Sequence, residues 1–382
     1  MTRLDLILCG GRVIDPGQGL DAVRDVGFVG GKVAAIAERL DPAEAAQVRD
    51  VTGRIVMPGM IDFHTHVYWG GTSIGVDADK LARRCGTTTW LDVGTAGANN
   101  IEGFRRHVIE ASETRILAYL HISTPGIYAF SKDVMVGESE DLRLLHVRAC
   151  ARAAAAHPGV VCGVKVRVGK HASGWNGITP LHLALEAADL CGLPVMCHID
   201  EPPPRYEDVL AILRPGDTLT HCFRPAPNAP VSADGRVKDA CWRARERGIY
   251  FDIGHGMGSF AFKTARAMLA AGFEPDIISS DVHALCIDGP AFDNLETMSK
   301  FLALGMELGA IVKAVTLTPA TALGRPDLAD LSAGSTGDAT VLAIRDGRFV
   351  MHDVTGEALT AERKLFLDSI VLGGRLWHSA DA

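Results

Sequence analysis

Met57-Pro58-Gly59-Met60-Ile61-Asp62-Phe63-His64-Thr65-His66 is the stretch on which the fold of this chain turns. An apolar run ends there in two imidazoles two residues apart. On an extended strand, residues i and i+2 point to the same side. His64 and His66 can therefore aim their rings at one point, as neighbouring ligands of a metal do. A His-x-His pair alone is equally served by two half-buried histidines bonded to backbone. Four later segments answer this pair, and they make it the first half of a metal site.

Outward from that stretch, residues 56–330 alternate strand-like segments with Ala-rich amphipathic ones, the signature of βα units. Eight strand candidates are legible: Ile55 through His66, then 87–93, 116–122, 160–166, 194–198, 218–222, 249–253 and 276–281. Leu142 to Ala156, Leu181 to Cys191 and Phe260 to Ala271 are long enough for helices between them. The expected fold is therefore α/β, a (β/α)8 TIM barrel with its site at the C-terminal ends of the strands. Both chain ends look different. Short apolar or alternating runs punctuated by Gly10-Gly11, Asp15-Pro16-Gly17, Gly30-Gly31 and Asp346-Gly347 predict strands and turns. Residues 1–55 and 331–382 are expected to form one small β-sandwich domain built from both termini, with 56–330 as the barrel.

Composition narrows the function. A length of 382 residues suits such a barrel with an appendage, and 47% hydrophobic with 22% charged residues describes a globular protein with a substantial core. The net charge of −8, with no basic stripe, argues against nucleic-acid binding. Nine scattered cysteines without a CxxC pair fit reduced thiols. With no secretory leader and no membrane-spanning run, the expectation is a cytoplasmic enzyme acting on a small-molecule substrate. The two-ended sheet leaves room for a homo-oligomer.

On the expected barrel, His64 and His66 end the first strand, Lys165 lies near the end of the fourth and His198 ends the fifth. His221 ends the sixth and Asp281 the eighth. All of these ends converge on one mouth. Four imidazoles, a carboxylate and a lysine suit one or two divalent ions. Lys165 stands out, because an ammonium in an apolar strand must be paired, deprotonated or modified.

These features resemble the amidohydrolase superfamily, over essentially the whole chain. Gly337-Asp338-Ala339-Thr340 is similar to that superfamily's re-entry motif into the sheet domain. Cys85-Gly86-Thr87-Thr88-Thr89, Gly97 to Arg105, Gly163-Val164-Lys165-Val166-Arg167 and Gly254-His255-Gly256 resemble its deacetylase, dihydroorotase-like branch. The resemblance implies a binuclear centre bridged by carbamylated Lys165. His64 and His66 would hold the more buried metal with Asp281, and His198 and His221 the more exposed one. An imidazole-rich shell favours Zn2+. A water activated between two cations would attack the substrate carbonyl, with Asp281 as general base.

The expected reaction is hydrolysis of an amide or ester, foremost deacetylation of a small N- or O-acylated acid. Cyclic-amide hydrolysis, as by dihydroorotases and hydantoinases, is the alternative, although Val67-Tyr68-Trp69-Gly70 offers no arginine for a substrate carboxylate. A non-catalytic barrel scaffold is the third reading. Arg167, two residues past Lys165, either pairs with a substrate carboxylate or forms an ion pair at the rim. His255 either donates to the substrate or packs its loop, and His283 either orients Asp281 or has no role. Asn176, Trp175 and Tyr128 lie in loops that could wall the pocket.

Overall fold

The structure, a computed structural model, describes residues 3–380. Five strands open the chain: β1 (Leu4–Asp15), β2 (Leu20–Val29), β3 (Lys32–Ala37), β4 (Ala45–Asp50) and β5 (Ile55–Pro58). Seven follow in the middle: β6 (Met60–Thr65), β7 (Thr87–Gly97), β8 (Arg115–His121), β9 (Val161–Val168), β10 (Val195–Ile199), β11 (Thr218–Thr220) and β12 (Tyr250–Asp252). Three more close it: β13 (Ala339–His352), β14 (Ala358–Leu372) and β15 (Arg375–Ser379).

The two ends share one eight-stranded sheet, in the order β15-β14-β13-β5-β1-β2-β3 with β4 beside β1. Its own core gathers Leu8, Val13, Val26, Val56, Val341 and Val371 from both termini. Two buried aspartates stitch the ends together. Asp15 accepts from the backbone N–H of Gly17 at 3.0 Å and of Leu331 at 2.8 Å, tying the first hairpin to the returning chain. Asp338 accepts from Arg115 at 2.8 Å and from the Gly373 N–H at 2.9 Å, joining the sheet to the barrel. Thr340 adds a second tie, accepting from the Met60 N–H and donating to the Gly86 carbonyl.

The middle strands run parallel in the order β6-β7-β8-β9-β10-β11-β12. Single parallel bridges from Asp252 to Ile277 and from Thr65 to Val282 carry the ring across residues 276–282 back to β6. The result is a nearly closed barrel. Its interior is packed: Ile61, Phe63, Leu91, Val93, Tyr119 and Met196 belong to one buried cluster. Gly163 makes room for Tyr119, whose ring carbons would lie 2.4 Å from any Cβ added there. Helices cover the outside. The helix Thr179–Cys191 carries Pro180 in its first turn, buries Leu181, Ala184, Ala187 and Ala188 along one face, and stops at left-handed Gly192. Among the described residues no helix is long and apolar enough to cross a membrane.

Three expectations require correction. The run Ile55 to His66 is two strands: β5 pairs with β13 in the terminal sheet and β6 with β7 in the barrel. Gly59 sits at the break because a Cβ there would meet Thr88 Oγ1 at 2.4 Å. The segment 276–281 forms bridges rather than a ladder strand, its backbone bonding to β12 at its start and to β6 at its end. Two strands escaped the sequence reading. Polar, mostly exposed β4 shows no apolar alternation, and β15 follows Gly373-Gly374, where the last strand was expected to end.

Candidate metal centre and substrate cavity

The barrel mouth gathers the strand-end candidate ligands. Asp281 Oδ1 lies 3.2 Å from His64 Nε2 and 3.1 Å from His66 Nε2. Lys165 Nζ is 3.4 Å from His64 Nε2 and fully buried. His198 Nδ1 and His221 Nε2 face each other at 2.6 Å, with their rings nearly perpendicular. The His64 and His221 ring centroids are 5.1 Å apart, so both halves form one cluster.

Outer partners fix which ring nitrogen faces inward. Thr220 donates its hydroxyl proton to Asp252 at 2.6 Å, so its oxygen accepts from His64 Nδ1 at 2.7 Å. His64 Nε2 is thereby left with its lone pair toward Asp281. His221 Nδ1 meets the Gly254 carbonyl at 2.7 Å and must donate, which again leaves Nε2 as the lone-pair nitrogen. His66 Nδ1 rests on Thr95 Oγ1 at 2.8 Å.

The backbone is strained where it matters. His221 at φ 65° and Asp281 at φ 49° adopt the left-handed region without being glycine. Such conformations cost about 1–3 kcal/mol each and persist where the surroundings over-determine them. The Gly254-His255-Gly256 segment explains its glycines the same way. A Cβ on Gly256 would lie 2.2 Å from Asp281 Oδ2, and one on Gly254 would lie 2.4 Å from Thr220 Oγ1 and 2.8 Å from His64 Nδ1.

Burial sets the protonation states. It pushes the His66 imidazole down to about 3 against the pull of Asp281. It also drives His198 and His221 well below the usual range. Burial lowers the Lys165 amine to about 8. Burial would raise the Asp281 carboxyl, but His64 and His66 beside it hold it well below the ordinary range. Burial therefore favours neutral His66, His198 and His221 beside one carboxylate and an amine that deprotonates readily. Nitrogen lone pairs and an anionic oxygen turned toward one volume fit divalent cations. His64, His66 and Asp281 alone bring three ligand atoms within 4.8 Å of one another.

A cavity of about 290 Å³ opens over these residues. His64, His66, Lys165, His198 and Asp281 line its floor; His221 supports the cluster from outside that lining. Arg167 and His283 reach the wall, with Ile127, Phe130 and Met257 as apolar surface. Arg167 is 9% exposed, bonds to Glu138 at 2.9 Å and lies over the Phe130 ring at 5.0 Å. The other named candidates are placed elsewhere. His255 is buried outside the lining, with Nε2 on Lys300 Nζ at 2.9 Å and Nδ1 toward the Gly256 carbonyl. Asn176 spends its amide on the Ser139 and Glu140 carbonyls, and Tyr128 and Trp175 are exposed beyond the lining.

Several residues of the site carry no sequence signal of their own. Glu138 sits mid-loop and is recognisable only through its spatial partners, Arg167 and His121. Asp252 and Thr220 look like ordinary strand residues until their bond to His64 is seen. Arg224 also lines the cavity. Its position three residues after His221 was the one available clue.

No family model matches the chain. A protein named deacetylase from Agrobacterium fabrum is 35% identical over 334 residues, covering 87% of this chain and 81% of its own. A crystal structure titled as an adenine deaminase superposes with a TM-score of 0.91 at 29% identity, covering 98% of this chain and 100% of its own. Another, titled as a dihydroorotase, gives 0.88 at 31% identity, with 98% of each chain covered.

Proposed function

The chain belongs to the amidohydrolase superfamily, in its deacetylase and dihydroorotase-like branch, and from that premise we propose a metal-dependent hydrolase that deacetylates a small N- or O-acylated acid. The observation that carries the reading is the convergence of Asp281, His64, His66 and Lys165 beside the His198–His221 pair. The relative named deacetylase, matched over most of both chains, supports the acyl-group assignment.

Two cations held by His64, His66, Lys165, His198, His221 and Asp281 would supply a Lewis acid for the carbonyl and lower the pKa of a water molecule. Zinc suits this imidazole-rich donor set. Carbamylation of Lys165 fits a buried amine at about 8, since the neutral amine is the form that attacks carbon dioxide. Asp281 takes the proton of the attacking water and returns it to the leaving amine or alkoxide. Its Oδ1 is fixed by His64 and His66, while Gly256 leaves Oδ2 free of steric cover.

The domain division supports the same enzyme. Residues 1–55 and 331–382 are read as a terminal β-sandwich and 56–330 as the hydrolase barrel, with β5 at the seam. Nine free cysteines suit a cytoplasmic setting.

Cyclic-amide hydrolysis finds less support despite the dihydroorotase-titled structure. Val67 is buried, Tyr68 stacks on Phe104 at 4.5 Å, and no cation follows His66. The test is metal content per chain on protein purified without chelator, paired with hydrolysis of N-acetyl and O-acetyl acids and of dihydroorotate. Two metals with acyl hydrolysis are expected, and Lys165→Ala should lose them while bicarbonate assists wild-type reconstitution. Efficient turnover of dihydroorotate, or metals without any hydrolysis, would overturn the assignment.

A further inference from the structure

Two arginines reach the cavity, and they differ in what neutralises them. Arg167 is answered from within the protein. Its Nη1 donates to Glu138 at 2.9 Å, and Glu138 is 1% exposed with its other oxygen 3.3 Å from His121 Nε2. Arg224 is just as deeply placed, at 6% exposure, and has no such counter-charge. Among the described residues its one side-chain hydrogen bond runs from Nη1 to the Asp200 backbone carbonyl at 2.5 Å. Its Nε is buried without any partner.

The neighbouring carboxylates are engaged elsewhere. Asp200 accepts from the backbone N–H groups of His171 and Ala172, and Glu201 pairs with Lys170 at 3.3 Å. They act on Arg224 only at longer range, and burial lowers its guanidinium where a direct ion pair would raise it. A buried guanidinium without a carboxylate partner is costly, and natural proteins pair such charges. Arg224 is itself one of the residues that line the cavity. The Asp200 and Asn228 contacts fix its position: Asn228 Nδ2 donates to the same Asp200 carbonyl at 2.8 Å. Asp200 in turn lies 3.7 Å from His198, so the arm is indexed to the ligand cluster.

We propose that Arg224, rather than Arg167, is the specificity residue that receives the substrate's carboxylate. The inference rests on the acylated-acid reading above and names the residue that makes the acid group necessary. A planar guanidinium presents parallel N–H groups matched to a carboxylate, and among the described residues this one is met by a single backbone carbonyl and no carboxylate. Arg167, already neutralised by Glu138, serves as a fixed wall over Phe130. Substrates carrying a free carboxylate should therefore be preferred over their neutral amides.

The experiment compares racemic N-acetylalanine with racemic N-acetylalaninamide on wild type, Arg224→Gln and Arg224→Lys, with metal content measured on each. Wild type is expected to prefer the acid. Arg224→Gln should raise KM for the acid about 100-fold, the scale of a lost charge-assisted pair, while the amide's kcat/KM changes little. Arg224→Lys, which keeps the charge without the fork, should retain part of the preference even if the glutamine variant folds poorly. An acid preference that survives in Arg224→Gln would overturn the role of Arg224 and leave the deacylase reading standing. If wild type hydrolyses neither compound, calorimetric titration with racemic lactate decides separately. Saturable binding lost in Arg224→Gln upholds the anion site, and identical isotherms overturn it.

Discussion

At the residue scale, Asp281 is constrained through both its backbone and its side chain. It adopts a left-handed backbone at φ 49°, donates its N–H to the His64 carbonyl at 2.7 Å, and places Oδ1 between two imidazoles. Each contact holds one carboxylate oxygen at a fixed point, which general-base work requires. Replacing Asp281 by Asn preserves shape and one oxygen but abolishes the basic site. The expected outcome is retained metal with kcat lower by about 10²–10⁴-fold, the range such groups contribute. Elemental analysis and steady-state kinetics on one preparation check it, and an unchanged rate would remove Asp281 from the mechanism. The glycines flanking His255 act at the same scale, by having no Cβ to collide with Asp281 or Thr220.

At the scale of elements, the loop between β8 and the helix Val147–Ala156 is held by one buried carboxylate. Glu138 meets Arg167 of β9 and His121 of β8, so it ties two adjacent barrel strands to the loop over their ends. Burial alone would raise the Glu138 carboxyl, but Arg167 and His121 hold it down at about 2. Its folded value lies below the ordinary glutamate value of about 4.3. The stabilisation is therefore complete above that value and is lost as pH falls toward the folded one. Glu138→Gln leaves Arg167 buried without its paired carboxylate, at a cost of about 3–5 kcal/mol. Urea unfolding should show this loss at neutral pH, together with a shallower acid dependence than in wild type. Equal midpoints at neutral pH would mean that the pair contributes nothing net.

At the scale of the whole molecule, Asp338 is one of several polar ties that join the terminal sheet to the barrel. Asp338 binds Arg115 at the start of β8 and the Gly373 turn of the returning chain, while its carbonyl accepts from Gly59. None of these groups touches the proposed metal ligands. Asp338→Ala should lower stability by about 2–4 kcal/mol, as expected for two charge-assisted bonds lost from a buried carboxylate. Metal content and kcat of the folded protein should stay at wild-type values. Thermal unfolding and kinetics on the same sample distinguish this from a site defect, since a fall in kcat would show that the sheet tunes the mouth.

The convergence of the candidate ligands was legible in sequence because barrel topology converts chain order into position on a ring. His64, His66, Lys165, His198, His221 and Asp281 each follow an apolar run, and every such run ends at the same mouth. The β-rich ends were legible through alternation and paired glycines. The remainder depended on contacts between segments with no common local pattern. Glu138 lies 29 residues from Arg167 in an aperiodic loop, and Lys300 lies 45 residues from His255. Local pattern specifies which face of a strand is buried. It does not specify which charge answers which, and so it could not distinguish Arg167, paired inside the protein, from Arg224, left open to the cavity. Left-handed Asp281 and the bridged segment beside it likewise arise from closing the barrel, because bonds to β12, to the Gly254-His255-Gly256 loop, to Ala314 and to β6 hold that backbone in place. Sequence by itself determined the barrel's alternating pattern and which strand-end side chains were candidates for a metal site; tertiary packing decided which of them meet, and that, among the described residues, Arg167 is paired within the protein while Arg224 is not.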